Sequence, residues 1–267
     1  MAGIAAMPQS WAEESLKVVR VPADVTELPI LYLADAHSGH RCFDEALLDY
    51  YLAKAEANPV MRILIGGDLF EAANRKSPGR VGDQIMSVTE QRKFWQRKLG
   101  PFRGRIDGAV PGNHCERIPN EGGDDEMAVL CELLGIDYFG YVGLIAYASD
   151  KINSCAYVVS FRHGASGATL PGGAVNAAQR QLWIDQADVY LSAHTHKPSH
   201  TTNMVRVPDI QNRTIRVKEQ HIVTGGALLN PWKSYAAMKG YPIAKPCQAI
   251  VTLRMMKRNR QVSVDFD

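Results

Sequence analysis

The sequence predicts an α/β sandwich built on mixed β-sheets, and three observations carry that prediction. Short apolar, β-rich runs recur along the chain. Several lack clean alternation, which marks strands covered on both faces, and segments with helical spacing fill the gaps between the early ones. The 267 residues, 46% of them hydrophobic, suffice for one large core, so a single domain over residues 1–267 is expected.

In chain order, the predicted strands are 30–34, 61–66, 106–110, 156–161, 189–193, 221–224 and 248–253. A helix over 43–57 places Phe43, Ala46, Leu47, Tyr50 and Tyr51 on one side, and Asn58-Pro59 stops it. A helix over 84–99 repeats Ile85, Val88, Phe94, Trp95 and Leu99; another over 124–134 starts from an acidic cap and ends at Gly135. The early part therefore reads β-α-β-α-β-α and the later part is strand-rich. Residues 1–25 are expected to form a flexible N-terminal extension, with the turn-rich segment 75–82 a second mobile piece.

Thirty basic and 28 acidic residues leave a net charge of +2, which neither advertises a polyanion-binding protein nor excludes a local basic groove. Cys42, Cys115, Cys131, Cys155 and Cys247 are odd in number and contain no C-x-x-C pair, so neither a disulfide framework nor a thiolate zinc site is suggested. A reducing compartment fits. No run approaches the roughly 18–20 apolar residues of a membrane span, so a cytoplasmic protein without a membrane partner is expected. The assembly state has no signature in the sequence.

The chemistry sits at strand ends. Leu31 to Arg41 reads LYLADAHSGHR, and in an extended chain Asp35 and His37, at i and i+2, point to the same side, while Gly39 lets the chain turn away. The second strand ends at Gly66-Gly67-Asp68, the third at Gly112-Asn113-His114, the fourth at Arg162-His163, and the fifth at His194 and His196. Each group alone has an ordinary reading as a cap or a surface side chain. Five strand ends carrying such groups do not. Two aspartates, an amide oxygen and four imidazoles suit Mn²⁺, Fe²⁺, Zn²⁺ or Mg²⁺ better than a thiolate-loving ion, and the count allows two ions that share a carboxylate.

The blocks Asp35-Ala36-His37, Gly67-Asp68, Gly112-Asn113-His114, His163 and Ala193-His194-Thr195-His196 resemble, in order and over residues 30–200, the pattern of the calcineurin-like metallophosphoesterases. GGDLFE and GNHxxR also look like phosphoesterases common in phage and prophage genomes, which would place the protein in a bacterium or a phage-infected host. The resemblance implies a four-layer αββα sandwich of two mixed sheets flanked by helices, and a dinuclear centre with Mn²⁺ favoured over Fe, Zn, Mg, Ni or Co. It implies Asp35, His37, Asp68 and His196 on one ion, and Asp68, Asn113, His163 and His194 on the other. It implies a bridging hydroxide for in-line attack on a phosphoester, with His114 as the catalytic histidine, Glu71 orienting it and Arg117 on the phosphate. Two departures stand out. Cys115 occupies the place of the usual acid, with Glu116 one position late, and Ala193 replaces a glycine.

The family includes phosphatases, phosphodiesterases and nucleases, so features outside the blocks must choose the substrate. Phosphodiester hydrolysis, in DNA, RNA or nucleotide-like molecules, is the leading expectation, with a phosphomonoesterase or a silent scaffold as alternatives. Arg92 to Arg105 interleaves basic residues with Phe94, Trp95 and Phe102, which suits either a nucleic-acid track or an amphipathic helix. Lys257, Arg258 and Arg260 read as a basic hairpin tip. His200, Arg206, Arg213, Arg216 and Lys218 lie in a loop or hairpin expected beside the site, which the end of the chain at Asp267 is expected to leave uncapped.

Overall fold

The computed structural model describes residues 16–75, 77, 80–150, 155–256 and 260–267. Eleven strands fall among them: β1 (Lys17–Val21), β2 (Glu27–Leu33), β3 (Arg62–Ile65), β4 (Ile106–Ala109), β5 (Gly143–Ser149), β6 (Ala156–Phe161), β7 (Val189–Ser192), β8 (Ser199–Asp209), β9 (Thr214–Thr224), β10 (Ala249–Arg254) and β11 (Val262–Asp265). The helices are α1 (Glu45–Ala57), α2 (Val88–Leu99), α3 (Glu126–Leu134), α4 (Pro171–Gln179) and the single turn α5 (Tyr235–Met238).

The strands form two mixed sheets, in the orders β11-β10-β2-β3-β4 and β1-β5-β6-β7-β9-β8. Alternation along β2 shows why they stack. Ile30 and Tyr32 enter a core between the sheets with Tyr147, Val159 and Leu191, whereas Leu31 and Leu33 face outward to Tyr51, Trp95 and Leu130 on α1, α2 and α3. On the other flank α4 packs Ala178 over Tyr190 and Ile222. The result is the expected αββα sandwich, with strands such as β2 buried on both faces because a layer lies on each side.

The elements correct the reading in places. The segment expected to be flexible contributes β1, which pairs in parallel with β5, Lys17 opposite Ile145; the rest of that expectation, residues 1–15, and positions 76, 78 and 79 of the 75–82 segment, lie outside the described residues. Helix α2 starts at Val88, four residues late, because Ser87 and Glu90 form a reciprocal capping box. Gln84 is instead bridged to His40, and Ile85 is exposed. Helix α1 begins after Asp44, whose side chain accepts the Leu47 N–H, which leaves Phe43 outside and Tyr50 on the exposed side. For α3 the cap is Asp125 rather than Asp124. No helix among the described residues is long and apolar enough to cross a membrane.

Candidate metal centre

Loops leaving the C-terminal ends of β2, β3 and β4 in one sheet, and of β6 and β7 in the other, meet at one place. They are tied to one another through backbone groups. The Asp35 and His37 amides donate to the Gly67 and Asp68 carbonyls at 3.1 and 2.9 Å, and Leu228 N–H donates to the Asp35 carbonyl at 3.0 Å. Glycine is required where this lacing is tightest: Gly67 has φ 87°, and a Cβ on Gly112 would lie 2.1 Å from Asp68 Oδ1.

Asp35 and His37 do not continue as an extended pair. Both are in the left-handed region, φ 48° and 50°, as are Asp68 at 50°, His194 at 71° and His196 at 54°. Such conformations cost about 1–3 kcal/mol each and persist only where surrounding structure over-determines them. Side chains converge here because the backbone turns sharply after β2, β3 and β7. Gly39 differs too: a Cβ there would lie 2.1 Å from Gln91 Nε2, so its smallness admits a buried glutamine.

All seven expected ligands come together. Asp35 Oδ1 lies 3.4 Å from His196 Nε2, 3.8 Å from His37 Nε2 and 3.9 Å from His163 Nε2. Asp68 Oδ2 is 3.2 Å from His163 Nε2, and Asn113 Oδ1 is 3.1 Å from His163 Nε2 and 2.7 Å from His194 Nδ1. The other carboxylate oxygens are occupied: Asp35 Oδ2 accepts from the His194 amide at 2.7 Å and Asp68 Oδ1 from the His114 amide at 2.8 Å.

This donor set fits divalent cations. Asp35 is 0% exposed, yet its Oδ1 has no hydrogen-bond partner, an arrangement that burial penalises unless a cation sits opposite. The histidines are oriented as ligands are. His37 Nδ1 is held by Glu71 Oε2 at 3.0 Å, His163 Nδ1 by the Gly66 carbonyl at 2.8 Å, and His194 Nε2 by the Ser166 carbonyl at 3.0 Å, which leaves the opposite nitrogen of each facing the cluster. Burial pushes the Asp35 and Asp68 carboxyls up, but the surrounding imidazoles overcome it and hold both below the usual range, Asp68 far below. Burial pulls His163 down, and the Asp68 charge more than reverses that, raising it to about 9.

His114 stands beside the cluster, its ring centroid 4.4 Å from that of His37. Glu71 Oε2 reaches both, 3.0 Å from His114 Nδ1 as well as from His37 Nδ1. Burial by itself would raise Glu71, and its two histidine partners depress it strongly. Arg117 lays its guanidinium against His114, Nη2 2.9 Å from Nε2, with Nη1 3.7 Å from Glu71 Oε1.

Neither departure removes a donor. Cys115 is buried beneath Asp68 with its thiol pushed up to about 12 by burial, in a core position that a carboxylate would not suit. The Ala193 methyl packs into the core between the sheets.

The cluster opens into a cavity of about 320 Å³ that His40, Ser77, Arg80, Lys197 and Tyr241 also line, none of them singled out by strand-end reasoning because they lie on loops without a repeating signal. Gln91 was missed as well. Buried on α2, it donates to the Glu71 carbonyl at 2.8 Å and accepts from the Glu71 amide at 2.7 Å, which clamps the loop that carries that carboxylate.

Other expectations move away from the site. Phe94, Trp95 and Phe102 are 6%, 0% and 6% exposed, so they cannot stack bases; α2 is an amphipathic helix whose Arg92 and Lys98 pair with Glu126 and with Glu45 and Asp49. His200, Arg206, Arg213, Arg216 and Lys218 belong to the β8–β9 hairpin or its turn and do not line the cavity, because β8 pairs along all of its length with β9 and carries them past it. Arg260 pairs with Asp188 at 2.9 Å and covers the Tyr157 ring instead of standing at a free tip; Lys257 and Arg258 lie outside the described residues.

No family model matches the chain, and no curated protein matches its sequence. Among solved structures it is similar to a conserved Streptococcus pneumoniae protein described as a predicted phosphoesterase, at 14% identity over 91% of this chain and 99% of that one, TM-score 0.37. A metallophosphoesterase from Sphaerobacter thermophilus gives 15% identity, 90% and 87% coverage and TM-score 0.39. A Vps29 double mutant from Entamoeba histolytica gives 15%, 76% and 97%, and 0.31. Those names belong to those proteins.

Proposed function

We propose that this chain is a phosphoesterase that works with two divalent cations, Mn²⁺ favoured, and hydrolyses phosphodiesters of nucleic acid or nucleotide-like molecules. The observation that carries the reading is Asp35 Oδ1, buried, unpartnered and ringed by three imidazole nitrogens at 3.4–3.9 Å. Asp35, His37, Asp68 and His196 would hold one ion, and Asp68, Asn113, His163 and His194 the other. When bound, such ions polarise phosphoryl oxygens and make water a better nucleophile.

The protein's own groups do the rest. With Nδ1 held by Glu71, Nε2 of His114 is the atom that gives the leaving alkoxide its proton, once Arg117, 2.9 Å from it in the free protein, has turned to the phosphate. Arg117, against that ring, meets the phosphate's negative charge with a planar fork of donors. Gln91 keeps the Glu71 loop in place, so the acid's orientation is set before substrate arrives.

The test is a comparison of substrates. Mn²⁺-loaded protein is assayed on bis(4-nitrophenyl) phosphate, 4-nitrophenyl phosphate and labelled single- and double-stranded DNA. Faster turnover of the diesters is expected. Preference for the monoester would overturn the diesterase reading, and silence on every substrate across several metals would overturn the phosphoesterase reading itself.

A further inference from the structure

A second cavity, of about 370 Å³, lies behind the His194 end of the centre. Its lining shares Ser166 and Thr195 with the metal cavity, so the two spaces adjoin at those residues. The histidines show which end this is. His114 lies beside His37, their centroids 4.4 Å apart, and His37 beside His196 at 5.2 Å; His194 stands on the other side with His163, also at 5.2 Å. The second cavity therefore adjoins the centre away from the proposed acid.

Its lining is unusual for a void that only packing has left. Ala174 and Ala178 make a low apolar floor, Trp183 stands at the rim 85% exposed, and Arg162 and Arg180 bring two positive charges. An indole that solvent surrounds on a cavity edge has its face free for a planar ring. The volume falls within the range of about 300–1,000 Å³ usual for small-molecule sites.

We infer that this cavity is a nucleoside subsite, holding the arm of a phosphodiester that remains on phosphorus, with its base against Trp183 and its phosphate at the edge shared with the metal cavity, by Ser166 and Thr195. The inference rests on the phosphoesterase reading and sharpens it. Water's oxygen bonds to phosphorus, the bond to the leaving alcohol's oxygen breaks on the His114 side, and that oxygen takes the proton; the nucleoside arm stays esterified as a nucleoside monophosphate. A monoester has no second arm to place there.

Two measurements test it. Thymidine 5′-monophosphate, titrated into metal-free protein, is expected to quench tryptophan fluorescence, with the response lost in Trp183→Ala, retained in Trp183→Phe as binding seen by calorimetry, and unchanged in Trp232→Ala, whose ring is exposed outside both cavities. On the Mn²⁺-loaded protein, Trp183→Ala is expected to raise KM for thymidine 5′-(4-nitrophenyl) phosphate about tenfold relative to methyl 4-nitrophenyl phosphate, which carries no base. Nucleotide binding equal in wild type and Trp183→Ala, or no binding at all, would overturn the subsite. Intact, Trp183-dependent binding with no hydrolysis of any phosphoester would overturn the catalytic reading and leave the subsite standing.

Discussion

Two kinds of stretch in this chain, the strand-end loops and the basic segment after Ser87, look equally equipped for chemistry, and they end up in opposite roles. Residues 34–41 and 66–71 become loops of left-handed backbone around a buried unpaired carboxylate. Residues 92–105, rich in cations and aromatics, become a helix and a following turn whose aromatics are buried and several of whose charges pair across the surface. The difference lies in what the packing satisfies. In α2 the aromatics are packed away and Arg92 and Lys98 are paired within the fold, whereas at the strand ends the fold spends stability on strain and leaves Asp35 Oδ1 buried without a hydrogen-bond partner.

Substitution at that point should give the largest effects. Asp35→Asn is expected to lower kcat/KM more than about 100-fold, beyond what loss of an outer partner of a metal ligand costs, and to lower metal content measured by mass spectrometry. Full activity in that variant would return Asp35 to a structural role. Next comes His114→Ala, expected to keep its metal and lose about 10²–10⁴-fold in kcat; loss of metal instead would make His114 a ligand. On the structural side of the comparison, Trp95→Ala should cost about 3–5 kcal/mol in denaturant unfolding through the cavity it leaves, because the ring is fully buried and its Nε1 donates to Ser38 Oγ at 3.0 Å.

The metal-free protein adds a pH signature. His163 is raised from 6.5 to about 9, so the stability it contributes is complete below pH 6.5 and is lost as pH rises through 9. Thermal scans of stripped protein should therefore show Tm falling between pH 6.5 and 9, with less of a fall in His163→Asn. A Tm flat over that interval would mean that His163 gains nothing from Asp68. The smallest effect belongs to the exposed face of α2: Lys93→Ala with Arg97→Ala should change stability by no more than about 0.5 kcal/mol and leave DNA hydrolysis unaltered. A clear rise in KM for DNA would restore the nucleic-acid reading of that helix.

Much of this was legible because donors at the ends of buried strands are unusual, and five of them in one chain narrow the choice sharply. Helices α1, α2 and α3 followed from periodicity and most strands from their apolar runs, whereas α4 and β5 did not show in the sequence reading. What escaped depends on tertiary contact. Gln91 reads as one polar residue on a helix, and its role appears only when it meets the Glu71 loop 20 positions earlier. Strand β1 stands at a sheet edge, half-exposed, without the continuous apolar run that marks β2. The left-handed conformations of Asp35, His37 and Asp68 leave no mark in the sequence, since aspartate and histidine tolerate that region without demanding it, so only the lacing of the loops sets them.

The most direct measurement is calorimetric titration of stripped protein with Mn²⁺, in wild type and in Asp68→Asn, whose carboxylate belongs to both proposed ligand sets. A two-ion centre sharing Asp68 predicts two ions per chain in the wild type and weakened binding of both in the variant. A wild-type stoichiometry of zero, or a variant that binds two ions as tightly as its parent, would contradict it.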